Sequence, residues 1–318
     1  MTGRVLVAGA SGFIGSALIK RLERDGRWES LAGSRRGGSL PRSAEWVVTP
    51  SLEAGADWSP ALRGVNAVVH AAGRAHVLDE AATDPLEAFR RCNVDGTLQL
   101  ARQAAQAGVR RFVFLSSIGV LGRSSERPFR FDDSPAPEDD YALSKWEAEQ
   151  GLWQVGRETG MEMILVRPPL VYGPKAPGNF GKLVEWVERG VPLPLGAVYN
   201  RRSLVGVDNL VDLLVTCLEH PAAANRVVLA ADGEDLSTTD LLRRLSAAMG
   251  RRARLVPVPH GLLRAGAEIV GRGEMARRLL DSLQVDITDT RDTLGWEPPV
   301  SLDEGLRRAV APMLERTS

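Results

Sequence analysis

The sequence is poor in the residues that mark secreted, membrane-spanning or metal-binding proteins. Its two cysteines, Cys92 and Cys217, are far apart, which argues against a disulfide framework and fits a reducing cytoplasm. No apolar run reaches the roughly 18 residues of a membrane span. The strand-like run RVLVAGA near the start leaves no room for a signal peptide. The four histidines show no metal-ligand spacing, so we expect no metal.

Net charge is also missing. Lys and Arg total 40, Asp and Glu total 40, and the formal net charge is zero. Without a net field there is no general attraction to nucleic acid or to anionic lipid, so the expected partner is a small molecule. Four of the basic residues are lysines, at positions 20, 145, 175 and 182, and the rest are arginines. A well-placed lysine is therefore stronger evidence of function than any single arginine.

What the sequence does contain is an alternation of short apolar runs and amphipathic segments. Strands are predicted at 4–9, 28–34, 45–49, 65–73, 110–117 and 161–168, and helices at 16–26, 85–108 and 139–160. Buried strands that alternate with helices indicate βαβ units with right-handed crossovers. We therefore predict an α/β fold with a doubly wound parallel sheet of the Rossmann type, in a chain long enough for a large core.

The pattern changes after residue 166. Proline and glycine are frequent in RPPLVYGPKAPGNF, which predicts loops over a site. A strand and helix (NRRSLVGVDNLVDLLVTCLEH), one more sheet strand (NRVVLAA) and a helical tail with a joint at VPVPHG follow. We predict a dinucleotide-binding domain over 1–166, to which about 203–231 returns, and a smaller, discontinuous C-terminal substrate domain within 167–318.

The first predicted strand leads into a glycine-rich turn. GASGFIG places Gly9, Gly12 and Gly15 between that strand and a helix. Glycines at this spacing let the backbone pass close to a pyrophosphate at a helix N-terminus. A tight turn with close helix packing is the alternative in a glycine-rich chain, but the position on the first βα turn favours a phosphate loop.

A tyrosine and a lysine share one face of a predicted helix, because Tyr141 and Lys145 are one helical turn apart in YALSK. A solvated helix face is the alternative, but the chain has only three tyrosines and four lysines. We expect Lys145 to lower the Tyr141 pKa toward working pH, so that the phenol can give a proton to a developing alkoxide or take one away. Ser117 ends a strand, where doubly wound sheets bind ligands, and would supply a third polar group.

Together these motifs resemble the extended short-chain dehydrogenase/reductase family, in particular its nucleotide-sugar epimerases and reductases. The resemblance covers nearly the whole chain and rests on VAGASGFIG, VVHAAG, the asparagine of CNVDGT, LSSIGVLG, YALSK, RPPLVYGP, RRSLVGVDNLVD and LGWEPP. It implies that Tyr141 is the acid/base and Lys145 its partner and ribose ligand. Ser117, the second serine of its pair, would contact the sugar oxygen, and Asn93 resembles the asparagine that supports the site.

The resemblance also implies the binding residues. The cofactor would contact Gly9, Ser11, Gly12, Phe13, Ile14, Gly15, Arg35, Arg36, Ala71, Ala72, Gly73, Lys145 and Pro168. The substrate would contact Ser117, Tyr141, His76, Asn179 and Arg202, with Asn179 and Arg202 at the UDP diphosphate. A surface charge is the alternative for Arg202, and a loop histidine bonded to backbone is the alternative for His76. The chain departs from the family pattern at two places. Ser51 stands where the family often has an acid that touches adenine, so the adenine contact there is not assigned. The tail after Ala267 differs from the epimerase pattern, so the residues that contact uracil are not assigned.

The reaction is narrowed by what the chain lacks. Related 4,6-dehydratases carry an acid pair straight after the catalytic serine or threonine, but here Ile118 and Gly119 stand there and neither can transfer a proton. A 4-epimerase holds NAD tightly and recycles its hydride, whereas a 4-ketoreductase consumes NADPH. NAD-binding members hold the ribose with an acid near the end of strand two, where this chain has Ser34, Arg35 and Arg36. Arginine there can pair with a 2′-phosphate, and two surface arginines are the alternative.

A finer resemblance is carried by HAAGRAHV, ATDPLEAFRRCNVDGT and VPLPLGAVYNRRSLVGVDNLVDLLVTCLEHP, and it is to enzymes of bacterial surface-polysaccharide pathways. We therefore predict an NADPH-dependent reduction of the C4 ketone of a UDP-linked 4-keto-6-deoxy (N-acetyl)hexose. The alternative is an NAD-dependent UDP-sugar 4-epimerase. A non-catalytic nucleotide-sensing protein is a minor alternative, since such proteins tend to lose the tyrosine or the lysine. The helix from Pro85 and the helix of Tyr141 resemble the pair that forms dimer contacts in the family, so we predict a homodimer.

Overall fold

The structure, a computed structural model, describes residues 3–36, 44–74 and 84–314. The strands are β1 (Gly3–Ala8), β2 (Trp28–Ser34), β3 (Glu45–Val48), β4 (Ala67–His70), β5 (Arg111–Leu115), β6 (Glu162–Arg167), β7 (Leu170–Tyr172), β8 (Arg202–Gly206), β9 (Arg226–Leu229) and β10 (Asp235–Leu236). The helices are α1 (Phe13–Asp25), α2 (Pro85–Phe89), α3 (Gly96–Gln106), α4 (Asp140–Thr159), α5 (Asn179–Glu188), α6 (Val207–Glu219), α7 (Thr238–Ala248), α8 (His260–Ile269), α9 (Gly273–Leu280), α10 (Thr288–Leu294) and α11 (Leu302–Leu314). None of the helices in these ranges is both long enough and apolar enough to cross a bilayer.

Within the described ranges, seven strands form one parallel sheet, the large sheet, in the order β3-β2-β1-β4-β5-β6-β9. The chain enters at β1 and winds outward in both directions, which makes the sheet doubly wound. The predicted fold class is confirmed. Strands β7, β8 and β10 form a separate small sheet, in which β8 pairs parallel with β7 and antiparallel with β10.

Both faces of the large sheet are covered, which explains why its strands are apolar throughout. Val5 and Val7 of β1 belong to the core that contains α1 and α6. Leu6 and Ala8, which alternate with them, belong to the core that contains α3 and α4. Side chains of a strand alternate between faces, so one apolar run fills both layers.

A further apolar core lies beside the large sheet. It contains the buried side chains of Tyr172, Phe180 and Leu204, together with the inner faces of α7 and α11. Within 203–231, strand β8 lies in the small sheet. Helix α6 packs in the core of the large sheet, and β9 is an edge strand of the large sheet. The predicted division into two domains, with 203–231 returning to the first, stays a prediction.

Two local predictions differ from the structure. The single helix predicted at 85–108 is α2 and α3 joined by a π-helical segment, Arg90–Asp95, in which Asn93 is buried. Such widened turns are frequent at functional sites. The run predicted as loops after Arg167 contains β7, which forms because its partner β8 comes from a distant part of the chain.

Candidate active site

The carboxyl ends of β1, β4, β5 and β6 meet at one edge of the large sheet, and predicted site residues follow each of them. Two clefts open there. The glycine-loop cleft, about 1110 Å³, is lined by residues that include Gly9, Ser11 and Ala72. The tyrosine cleft, about 750 Å³, is lined by residues that include Ser117 and Tyr141. The predicted cofactor and substrate residues thus separate largely into neighbouring clefts.

The turn from β1 into α1 requires glycine at two positions. Gly9 has φ +89°, and a Cβ there would lie 2.7 Å from the Ala72 nitrogen. A Cβ on Gly15 would lie 2.2 Å from the Gly9 carbonyl oxygen. The first turn of α1 contains Phe13, Ile14 and Gly15, and its N-cap, Gly12, has no side chain to cap the helix. Backbone N–H groups at such a start suit an anion, so the loop fits the pyrophosphate of a dinucleotide.

The end of β2 lies beside this loop. The Ser34 hydroxyl lies 3.2 Å from that of Ser11. Arg35 is exposed and lines the glycine-loop cleft, and Arg36 is exposed next to it. The described carboxylates that line this cleft, Glu53 and Asp95, come from other segments and not from the end of β2.

Asn93 ties the loop after β4 to α4. Its Oδ1 accepts a hydrogen bond from the Arg74 N–H (2.8 Å), and its Nδ2 donates to the Arg74 carbonyl (3.0 Å) and to the Ser144 hydroxyl (3.0 Å). The same loop begins at Ala71, whose N–H donates to the Ala8 carbonyl (2.9 Å). These bonds fix the segment Ala71–Gly73 against the neighbouring strand end.

Lys145 is buried between Gly73, which lines the glycine-loop cleft, and Tyr141, which lines the tyrosine cleft. Its Nζ donates to the Leu115 carbonyl at 2.9 Å and lies 4.5 Å from the centre of the Phe114 ring. A Cβ on Gly73 would lie 3.4 Å from this Nζ, which places the ammonium beside the loop after β4. Burial lowers the pKa of Lys145 to about 8, although Cys92 and Glu149 favour the charged form.

Tyr141 and Ser117 both line the tyrosine cleft. The Ser117 hydroxyl accepts the Gly119 N–H at 3.1 Å, whereas the hydroxyl of its neighbour Ser116 is turned into the core, where it donates to Glu149. The expectation that Lys145 lowers the Tyr141 pKa is wrong. Burial first, and then the Asp139 carboxylate, raises the pKa of Tyr141 to about 12. The Lys145 Nζ lies 5.9 Å from the centre of the tyrosine ring and is directed to a backbone carbonyl.

A buried ion pair behind these residues was missed by the sequence reasoning. The Glu149 carboxylate accepts two hydrogen bonds from Arg167, at 3.0 and 2.6 Å, and one from the Ser116 hydroxyl at 2.5 Å. Glu149 lies one turn beyond Lys145 on α4, and Arg167 ends β6. The sequence signal was Arg167 itself, a charged residue at the end of an apolar strand. A buried charge requires a partner, so an acid opposite it was to be expected. The network joins α4 to β5 and β6.

A second missed feature is an ion-pair bridge over the tyrosine cleft. The Arg123 guanidinium contacts the Asp139 carboxylate at 3.1 Å and the Glu274 carboxylate at 2.5 Å. Asp139 is also the N-cap of α4, where its Oδ1 accepts the Ala142 N–H at 2.7 Å. The bridge therefore connects α9 to the start of the helix that carries Tyr141.

The residues predicted for the diphosphate line the same tyrosine cleft. Asn179 is the first residue of α5, and Arg202 is the first residue of β8. Arg202 is half-buried, and its Nη1 donates to the Asp281 carbonyl at 2.9 Å. Burial lowers the pKa of its guanidinium. Pro168 also lines the cleft, and its carbonyl accepts the Ile118 N–H at 3.0 Å.

Two further predictions concern His76 and metal binding. His76 lies outside the described residues. Within the ranges that are described, no group of three His, Cys, Asp or Glu side chains is placed to hold a metal ion.

The fold and the site define the class: a nucleotide-binding α/β enzyme with polar side chains at the carboxyl ends of its strands. The family model for the NAD dependent epimerase/dehydratase family matches residues 5–231, and the chain belongs to this family of NAD(P)-dependent enzymes.

Relatives of this chain include both epimerases and reductases. A UDP-glucose 4-epimerase of Vibrio cholerae is 40% identical over 99% of this chain and 97% of its own length. A dTDP-4-dehydro-6-deoxyglucose reductase of Escherichia coli is 24% identical over 96% of each chain. The crystal structure of a UDP-glucose 4-epimerase from Thermotoga maritima, with UDP-glucose, superposes with a TM-score of 0.79 at 24% identity, over 99% of this chain and 100% of that one. The fold is shared with these enzymes of nucleotide-sugar chemistry.

Proposed function

We propose that this protein is an NADPH-dependent 4-ketoreductase of a UDP-linked 4-keto-6-deoxy (N-acetyl)hexose, of the kind used in bacterial surface-polysaccharide synthesis. The observation that carries the proposal is the end of β2. Arg35 lines the glycine-loop cleft one residue after Ser34, whose hydroxyl contacts the phosphate loop. A guanidinium there can pair with the 2′-phosphate of NADPH, and no acid at 34–36 would hold the free 2′-hydroxyl of NAD.

The glycine loop would hold the pyrophosphate, and Lys145 would hold the nicotinamide ribose. An ammonium has three N–H donors, and one of them is used on the Leu115 carbonyl. The other two would be available to the ribose hydroxyls. The chemistry that a bound dihydronicotinamide supplies is a hydride for the C4 carbon of the sugar.

The proton for the C4 oxygen comes from Tyr141. Because the pKa of Tyr141 is raised to about 12, the phenol is protonated before turnover and begins as an acid, as a reduction requires. The Ser117 hydroxyl donates a hydrogen bond to the same oxygen as its charge develops. Carbonyl carbon gains a hydride, carbonyl oxygen gains a proton, and an alcohol results.

The UDP end of the substrate would lie in the tyrosine cleft between α5 and β8. The Asn179 amide and the Arg202 guanidinium, which line that cleft, would donate to the diphosphate oxygens. The Asp281 carbonyl holds Arg202 in place through Nη1, which leaves other N–H groups of the guanidinium for the substrate.

An NAD-dependent UDP-sugar 4-epimerase is the second candidate. The V. cholerae relative, 40% identical, carries that name, and this supports the reading. An epimerase would use the same Tyr141, first as a base and then as an acid, and would keep its cofactor bound. The two candidates differ in whether reduced nucleotide is consumed.

The proposal is tested by Arg35→Ala, with the exposed Arg24→Ala as the matched control. A partly exposed guanidinium–phosphate contact is worth about 1–2 kcal/mol, so kcat/KM for NADPH should fall by roughly 5- to 30-fold. The kcat/KM for NADH should barely change. In the control variant, kcat/KM should be unchanged for both cofactors. Equal effects on the two cofactors would refute the assignment of Arg35 and, with it, the structural support for a reductase.

A further inference from the structure

Helix α8 exposes an apolar stripe that the proposed reaction does not use. Leu262, Ile269 and Val270 are 66%, 85% and 65% exposed. Leu262 and Ile269 share one helix face, with only Ala265 and Gly266 between them on that face, and Val270 is the C-cap residue next to Ile269. The opposite side of α8 is partly buried, since Leu263 and Ala267 pack on the core beside the large sheet. Half of the exposed large apolar side chains among the described residues, four of eight, lie in 256–270.

The stripe lies in a strongly basic part of the chain. Residues 251–278 contain seven arginines and two glutamates, a net charge of +5 in a protein whose formal net charge is zero. Both glutamates are engaged: Glu268 lies 3.9 Å from Arg264, and Glu274 pairs with Arg123.

No acid of this segment therefore remains for its other exposed arginines, which include Arg252, Arg254 and Arg272. Arg254 lies eight residues before Leu262, and Arg272 is two residues beyond Val270. Positive charge thus precedes and follows the apolar stripe along the chain.

We propose that this α8 surface, Leu262, Ile269 and Val270 with the flanking Arg252, Arg254 and Arg272, docks the protein on an anionic lipid bilayer. An exposed apolar stripe flanked by arginines is the pattern of a helix that lies in the bilayer interface. The apolar side chains enter the acyl boundary while the guanidinium groups contact anionic headgroups. In this mode of membrane binding the protein docks on the surface and does not span the bilayer. Binding requires both the apolar stripe and the flanking arginines.

The position of α8 gives this docking a consequence. Arg264 of α8, together with Arg277 and Arg278 of α9, lines the tyrosine cleft. Docking through the outer face of α8 would therefore bring one wall of that cleft next to the lipid surface. The proposal does not depend on whether the enzyme reduces or epimerises its substrate.

The test is flotation of the full-length protein with phosphatidylcholine vesicles, with and without one third of phosphatidylglycerol. Wild type should float with the anionic vesicles at low salt, should be released by high salt, and should not float with the neutral ones. Ile269→Ser should lower the partition coefficient by about tenfold or more. Val48→Ser, which changes a similarly exposed valine on β3 (73%), should leave it unchanged.

Arg252→Glu with Arg254→Glu should abolish binding to the anionic vesicles, and Arg24→Glu should not. Circular dichroism and thermal melting check that each variant folds, and turnover of a water-soluble substrate should be unaffected in Ile269→Ser. Failure of wild type to float, or equal flotation of Ile269→Ser and wild type, would overturn the proposal. The proposal would also be overturned if wild type binds no vesicles but forms an oligomer that Ile269→Ser dissociates. A second copy of the chain would then cover the stripe.

Discussion

The Glu149–Arg167 pair gives a prediction for stability that the structure makes quantitative. Glu149 is fully buried, Arg167 is 3% exposed, and the carboxylate accepts three hydrogen bonds from Arg167 and Ser116. Glu149→Leu leaves the Arg167 guanidinium buried without a counter-charge. The expected loss is about 3–5 kcal/mol of unfolding free energy.

A double-mutant cycle separates the pair from its surroundings. Replacing both residues, Glu149→Leu with Arg167→Met, removes both buried charges, so most of the loss should be recovered. The matched control is Glu147→Leu, two residues away on α4, whose bidentate partner Arg90 is at the surface. That substitution should cost about 1 kcal/mol or less.

The assay is urea unfolding followed by circular dichroism and tryptophan fluorescence, with melting temperatures as a second readout. The expected coupling fails if Glu149→Leu is no more destabilising than Glu147→Leu. It also fails if the double variant loses as much stability as the two single variants together. Either result would mean that Glu149 and Arg167 do not act as a coupled buried pair.

Three further predictions concern catalysis and assembly. Tyr141→Phe should lower turnover by about 10²–10⁴-fold while NADPH binding, followed by fluorescence, is retained; near-normal turnover would exclude Tyr141 as the acid. Because burial lowers the pKa of Lys145 to about 8, its charge is lost as the pH rises through that value, and kcat/KM should fall there. A profile that stays flat well above pH 8 would contradict this role. Light scattering should give the mass of a homodimer, and a monomer at working concentration would rule it out.

The large sheet was predictable because its strands are buried on both faces and appear as apolar runs in the sequence. The nearness of the Tyr141 and Lys145 side chains was predictable because residues one turn apart share a helix face. The scarcity of both residue types in this chain made the match informative, and their catalytic roles stay a prediction. The position of Ser117 beside a cleft was predictable because it follows a strand, and doubly wound sheets bind ligands at the carboxyl ends of their strands. These inferences need only local sequence and the geometry of regular elements.

What the sequence did not reveal depends on contacts between distant segments. The partner of Glu149 is the end of β6, and the Arg123 bridge joins a loop to α9, so neither pairing has a local signal. The sign of the Tyr141 pKa shift was predicted wrongly because it depends on how deeply the phenol is buried and on the direction of the Lys145 side chain. The π-helical segment that carries Asn93 was predicted as part of one ordinary helix.

The most direct test of the proposed function is the nucleotide balance of the purified protein with a UDP-linked 4-keto-6-deoxy N-acetylhexose. We predict that one NADPH is oxidised for each C4 alcohol formed, much faster than with NADH, and that UDP-glucose is not converted to its C4 epimer. The contradictory result is interconversion of UDP-sugar C4 epimers by a protein that carries tightly bound NAD and consumes no NADPH.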